Sequence, residues 1–201
     1  MEYRFYREQA LETIAHNLIK DFDAALLYSP TAIPIEDIIE KRYKLTIIYQ
    51  HIRKSGKVLG ETAFDDTFVA VYDKEDGRYL WLPVKRGTII VDAGLLTPSK
   101  YGRLRFTLAH ELAHWIIHQY IYAGSGQTAA MLKYITKSSE VDKYVERQAD
   151  NLGSLILMPA GQVKMGYYHN RSSLDPTETL ANVFGVSKPA MEIRLKELRL
   201  I

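Results

Sequence analysis

The chain has 201 residues, 47% of them apolar and 25% charged, with 26 Lys and Arg against 24 Asp and Glu and no cysteine. That composition excludes disordered and low-complexity chains, and the absence of thiols excludes a disulfide framework, a thiolate metal site and a cysteine nucleophile. A net charge of +2 is too small to point to nucleic acid or a membrane, and no apolar run approaches the roughly 18 residues of a membrane span.

The opening Met1 to Arg7 lacks the basic-then-apolar order of a signal peptide, so a cytoplasmic protein is expected. Residues 5–20 read as an amphipathic helix, with Leu11, Ile14, Ala15, Leu18 and Ile19 near helical spacing. Pro30 and Pro34 punctuate a loop, and Ile35 to Lys41 reads as a short helix. The period then changes. Leu45 to Tyr49, Thr67 to Tyr72, Tyr79 to Leu82 and Thr88 to Val91 are β-branched and aromatic runs separated by turn residues, which predicts four strands of a mostly antiparallel sheet. Thr97-Pro98 offers an N-cap followed by proline at the first helical position, opening a helix that runs to about His118. A second long helix is expected from Ser138 to Leu157, stopping at Pro159, and two shorter ones near 176–184 and 187–199. The class is α+β in one domain spanning 1–201. It comprises a helix and sheet (1–95), the long helices (96–160) and a C-terminal helical hairpin (161–201).

The helix beginning near Thr97 carries the chemistry. Around its axis, at about 100° per residue, take His110 as the origin; His114 then lies at about 40°, Thr107 at about 60°, His118 at about 80° and Glu111 at about 100°. Leu104, Phe106, Leu108, Ala109, Leu112, Ala113, Trp115, Ile116 and Ile117 occupy nearly all the rest. A helix so apolar is buried, and its single polar stripe is costly to bury without partners. His110-Glu111-Leu112-Ala113-His114 is an HExxH sequence. Histidines at i and i+4 can ligate one ion from one face, while Glu111 is displaced around the helix and can serve as a base beside the site.

Such a site needs a third protein ligand and an open position for water. A histidine six residues after His114 would complete one known pattern, but Tyr120 stands there. Glu146 lies 32 residues after His114, with Asp150 one turn further on the same face. Ala149 and Gly153 flank them, small enough for close helix contact. Asp150 can accept the free ring N–H of a ligand histidine. His118 is assigned beside the site rather than in it, because a fourth ligand would close the open position. For His16, His51 and His169 the sequence identifies no partners, and they read as ordinary surface or satisfied residues.

Phe106 to His114 with His118, then Glu146-Arg147-Gln148-Ala149-Asp150 leading into Leu155-Ile156-Leu157-Met158-Pro159, resembles the ImmA/IrrE family of zincin-type metallo-endopeptidases. The closing Leu180 to Ser187 and Arg194-Leu195 resembles that family's C-terminal end. The likeness covers about residues 85–201; Leu152-Gly153-Ser154 and Ala113 depart from its usual residues at packing positions. It implies one Zn2+ per chain on His110, His114 and Glu146, with Glu111 as general base. The substrate it implies is a protein, in several members a helix-turn-helix repressor.

Hydrolysis also needs an oxyanion donor, for which Tyr101, Tyr134 and Tyr144 are candidates. Thr88 to Asp92 is expected as an edge strand along which an extended substrate could pair. The rival reading is a DNA-binding regulator with a structural or degenerate metal site. Thr177 to Leu198 places Ala181, Gly185 and Met191 where a helix-turn-helix needs them. Its second helix carries Lys188, Arg194, Lys196 and Arg199 but also Glu192 and Glu197, a weak pattern for phosphate.

Overall fold

The structure, a computed structural model, describes residues 4–124 and 140–201. Helix α1 (Glu8–Asp23) buries Leu11, Ala15, Leu18 and Ile19, the stripe expected from spacing. A short helix α2 (Ile35–Asp37) runs into a wider turn over Ile38–Arg42, which buries Ile38 and Ile39.

Five strands follow: β1 (Thr46–Gln50), β2 (Gly60–Thr62), β3 (Thr67–Asp73), β4 (Arg78–Val84) and β5 (Thr88–Asp92). The four expected strands are present, and two of the three pairings are antiparallel, but they form two sheets rather than one. β3 and β4 make a separate hairpin, in register from Thr67 opposite Val84 to Asp73 opposite Arg78. β1, β5 and the unexpected β2 form a mixed sheet in the order β1-β5-β2, with β1 parallel to β5. Every residue of β5 is buried. A strand buried between two neighbours reads as a continuous apolar run, which is why Ile89, Ile90 and Val91 lack alternation. β5 is therefore central, not an edge, and β2 takes the edge position.

Pro98 opens a single 3-10 turn (Pro98–Lys100) before helix α3 (Tyr101–Ile117), and the Thr97 side chain does not cap it. A further turn, α4 (Gln119–Tyr122), follows at once. Helix α5 (Glu140–Leu157) packs along α3; its expected start at Ser138 falls outside the described residues. Helix α6 (Ala160–Asn170) was not among the expected helices, and its buried positions are Gln162, Val163 and Gly166. Helices α7 (Pro176–Phe184) and α8 (Lys188–Glu197) form the expected C-terminal hairpin. Gly185 joins them in the left-handed conformation at φ 63°, and its N–H bonds the carbonyls of Ala181 and Asn182. Ala181 and Met191 are buried.

One core joins α1, β1, β5, α3, α5 and the C-terminal pair through Leu108, Leu112, Ala149, Leu152, Leu180 and Leu195. Two buried arginines stitch it. Arg105 on α3 donates to the Ile33 carbonyl at 2.6 Å. Arg194 on α8 donates to the Met158 carbonyl at 3.1 Å and to Glu197 at 3.1 Å, with Glu12 of α1 3.6 Å away.

Candidate metal centre

The polar stripe of α3 meets α5 where Gly153 removes a side chain. A Cβ at Gly153 would lie 3.1 Å from the backbone nitrogen of His110 and 3.2 Å from the carbonyl carbon of Ala109. That close approach brings Glu146 over the two histidines. Nε2 of His114 stands 3.2 Å from one Glu146 oxygen, and Nε2 of His110 3.6 Å from the other. The two Nε2 atoms are 3.0 Å apart, and the three side chains can offer ligand atoms all within 4.8 Å of one another.

The other ring nitrogens have partners that fix which way each ring presents itself. His110 Nδ1 lies 2.9 Å from Asp150 Oδ1. An ionised carboxylate only accepts, so the His110 proton sits on Nδ1 and its Nε2 lone pair faces inward. His114 Nδ1 lies 3.0 Å from His118 Nδ1, and His118 Nε2 lies 3.2 Å from Gln148 Oε1. With the Gln148 oxygen accepting from His118 Nε2–H, His118 Nδ1 accepts from His114 Nδ1–H, which again leaves His114 Nε2 as an inward lone pair. His118, fully buried, stands behind His114, and Tyr122 packs against both rings.

Burial holds the His114 imidazole neutral, down at about 3, with His110 and His118 adding and Glu146 opposing. For His110, burial also pulls downward but is outweighed by the hydrogen bond to Asp150 and the charges of Glu111 and Glu146, so its value is raised. These carboxylates favour any cation at the site, and two neutral nitrogens with one oxygen form the borderline donor set that divalent zinc accepts. The residues fit a metal ion.

Glu111 is 5% exposed. Its Oε2 accepts from the Thr62 hydroxyl at 2.7 Å, and its Oε1 occupies space that only a glycine at position 60 leaves: a Cβ there would lie 2.6 Å away. Strand β2 thus holds the carboxylate. Neither Thr62 nor Gly60 carries a signal in the sequence, and neither do Gln148 and Tyr122.

Of the three tyrosines considered as oxyanion donors, Tyr134 lies outside the described residues. Tyr101 sits nine residues before His110, on the opposite side of α3 and about 13 Å along it, under the Arg105 guanidinium. Tyr144 packs edge-on against Phe5 at 4.8 Å, about 200° around α5 from Glu146. The geometry of both removes them from that role.

Residues 73–196 match the family model for Peptidase M78, described as an IrrE N-terminal-like domain. The chain belongs to this metallopeptidase-type family. No curated protein matches it. Among solved structures, a Mycobacterium tuberculosis transcriptional regulator aligns with a TM-score of 0.53 at 15% identity, over 92% of this chain and 55% of that one. The likeness is one of fold, and the chain spans about half the length of that structure. Among the described residues, no helix of this M78 member is long and apolar enough to cross a membrane.

Proposed function

We propose that this M78 domain is a zinc-dependent endopeptidase, with His110, His114 and Glu146 as metal ligands and Glu111 as general base. The observation that carries the reading is the convergence of those three donors beside a buried carboxylate that is held by Thr62 and is not one of them. A zinc ion held there supplies Lewis acidity, polarising the scissile carbonyl and acidifying water. Glu111 takes the proton of the attacking water and delivers it to the leaving amine. Asp150 orients His110, and the His118–Gln148 pair orients His114. We infer further that the enzyme is an intracellular regulatory protease whose protein substrate is a DNA-binding repressor, as the family resemblance suggests.

The DNA-binding alternative has less support. Of the basic residues on its second helix, Arg194 is buried at 1% exposure, Lys188 pairs with Asp175 and Lys196 pairs with Glu192. Arg199 lies beyond the helix end. Basic groups spent on internal partners do little for phosphate.

The test is Glu111→Gln. The variant should keep its fold and near-stoichiometric metal, measured by elemental analysis, yet lose hydrolysis of a repressor encoded beside the gene. The amide keeps the shape and cannot accept the proton. Activity near the wild-type rate would remove Glu111 as base. Loss of metal would make it a ligand, and digestion of casein at many sites with the repressor untouched would sink the regulatory reading.

A further inference from the structure

A basic pocket of about 240 Å³ opens beside the stripe of α3 that carries the histidines and Glu111. Arg53 and Lys54 from the β1–β2 loop, Lys74 from the β3–β4 turn, and Lys100 and Arg103 from the start of α3 surround it, with Asp92 at its wall. Two of these charges are already spent. Arg53 sits 3.0 Å from the buried Glu61 carboxylate and donates to the carbonyls of Ile52 and Ala70. Asp92 accepts from the backbone N–H groups of Ile52 and Gly94. The remaining four cations are exposed, and among the described residues no carboxylate pairs with Lys54, Lys74, Lys100 or Arg103. Lys100 also donates to the Gly94 carbonyl at 2.8 Å and Lys54 lies over the Tyr72 ring, contacts that hold these side chains without neutralising them. Even with Asp92 counted, the pocket keeps an excess of positive charge. Like charges gathered without enough carboxylates to balance them repel one another, so the arrangement gains when an anion enters.

The position ties the pocket to the site. Arg103 precedes His110 by seven residues, which puts it about 20° from His110 around α3 and about 10 Å along the axis. Leu59 forms part of the pocket wall, and the next residue, Gly60, lies against Glu111. An extended chain advances about 3.3 Å per residue, so about three residues separate His110 from Arg103 at the pocket.

We propose that this pocket is a specificity subsite that takes acidic side chains of the protein substrate, about three residues from the scissile bond. The inference rests on the endopeptidase reading. A confined pocket suits a carboxylate side chain better than a nucleic-acid backbone, which needs a basic track running on beyond it. The neighbouring Glu75 and Asp76 on the β3–β4 turn are exposed and interrupt such a track.

The experiment separates binding from hydrolysis. In full-length Glu111→Gln protein, a fluorescein-labelled dodecapeptide with a central Glu-Asp-Glu run is compared by anisotropy with its Gln-Asn-Gln counterpart. The acidic peptide should bind about tenfold more tightly at low salt, an advantage that shrinks as salt is raised. Lys54→Glu/Arg103→Glu should abolish that preference. Lys20→Glu/Lys164→Glu, with the same change in net charge at exposed sites away from the pocket, should keep it. Circular dichroism confirms that each variant is folded. Equal affinity for the two peptides, or equal loss in the two double variants, overturns the proposal. So does tighter binding of duplex DNA that the Lys54→Glu/Arg103→Glu pair abolishes. With Glu111 intact, the pocket variant should raise KM for the acidic peptide and leave kcat unchanged. Charge-selective binding with no metal-dependent hydrolysis of the peptides or of the repressor would refute the endopeptidase reading, and with it the subsite, leaving only an acidic-peptide binding site.

Discussion

Glu111 owes its place to two residues about fifty positions earlier in the chain. Thr62 donates to Oε2 at 2.7 Å, and Gly60 leaves room for Oε1. Gly60→Ala would put a methyl 2.6 Å from Oε1, 2.8 Å from Cγ and 2.9 Å from Thr107 Cγ2, so the carboxylate must move. The expected outcome is full metal content with kcat reduced by about a hundredfold, the usual scale for a displacement near 1 Å at a reacting group. Steady-state kinetics beside elemental analysis checks it. The histidines, Glu146 and Asp150 were legible because each pair lies on one helix, where spacing fixes the face. Thr62, Gly60 and Gln148 were not, because threonine, glycine and glutamine have no diagnostic spacing and the first two arrive from another strand.

At the level of elements, the helices were more legible than the sheet. α1, α3, α5, α7 and α8 each show a period or a cap within a dozen residues. The pairing of β1 with β5 instead depends on chain segments about forty residues apart, and β2, at three residues, is too short to alternate. α6 escaped for another reason: its buried face is made of Gln162, Val163 and Gly166, with Gln162 donating to the Leu27 carbonyl at 2.6 Å, so no apolar stripe marks it. Cap chemistry was more local. Asp175 caps α7 by accepting from the Glu178 N–H at 3.0 Å. The Lys188 ammonium and that N–H hold its carboxyl below the usual carboxylate range. A lowered value means the stabilisation is present above the unfolded-state value and is lost as pH falls through the folded one. Asp175→Ala should therefore melt at lower temperature than wild type at neutral pH. The gap should persist down to the ordinary carboxylate range and close only in stronger acid, as followed by thermal denaturation across pH.

Over the whole molecule, the C-terminal hairpin behaves as part of the core. Arg194 reaches from α8 to the Met158 carbonyl at the end of α5 and toward Glu12 on α1, so three helices meet at one guanidinium. Arg194→Met fills similar volume but leaves the Met158 carbonyl without this donor. A loss of about 2 kcal/mol in unfolding free energy is expected, the scale for a buried polar group left unsatisfied. Urea titration measures it, and an unchanged midpoint would show that solvent replaces the arginine at no cost.

The same guanidinium sets where the chain can be divided. A fragment cut at Gly185 would keep every residue proposed to ligate metal, yet it would bare Leu180, Phe184 and Met158 and leave the end of α5 without its donor. It would be sticky before it was inactive. Cargo or a tag belongs instead on the exposed β3–β4 turn, if the acidic-substrate pocket can be spared. Natural rearrangements face the same constraint: recombination that swapped the final helices for another module would have to bring an arginine with them.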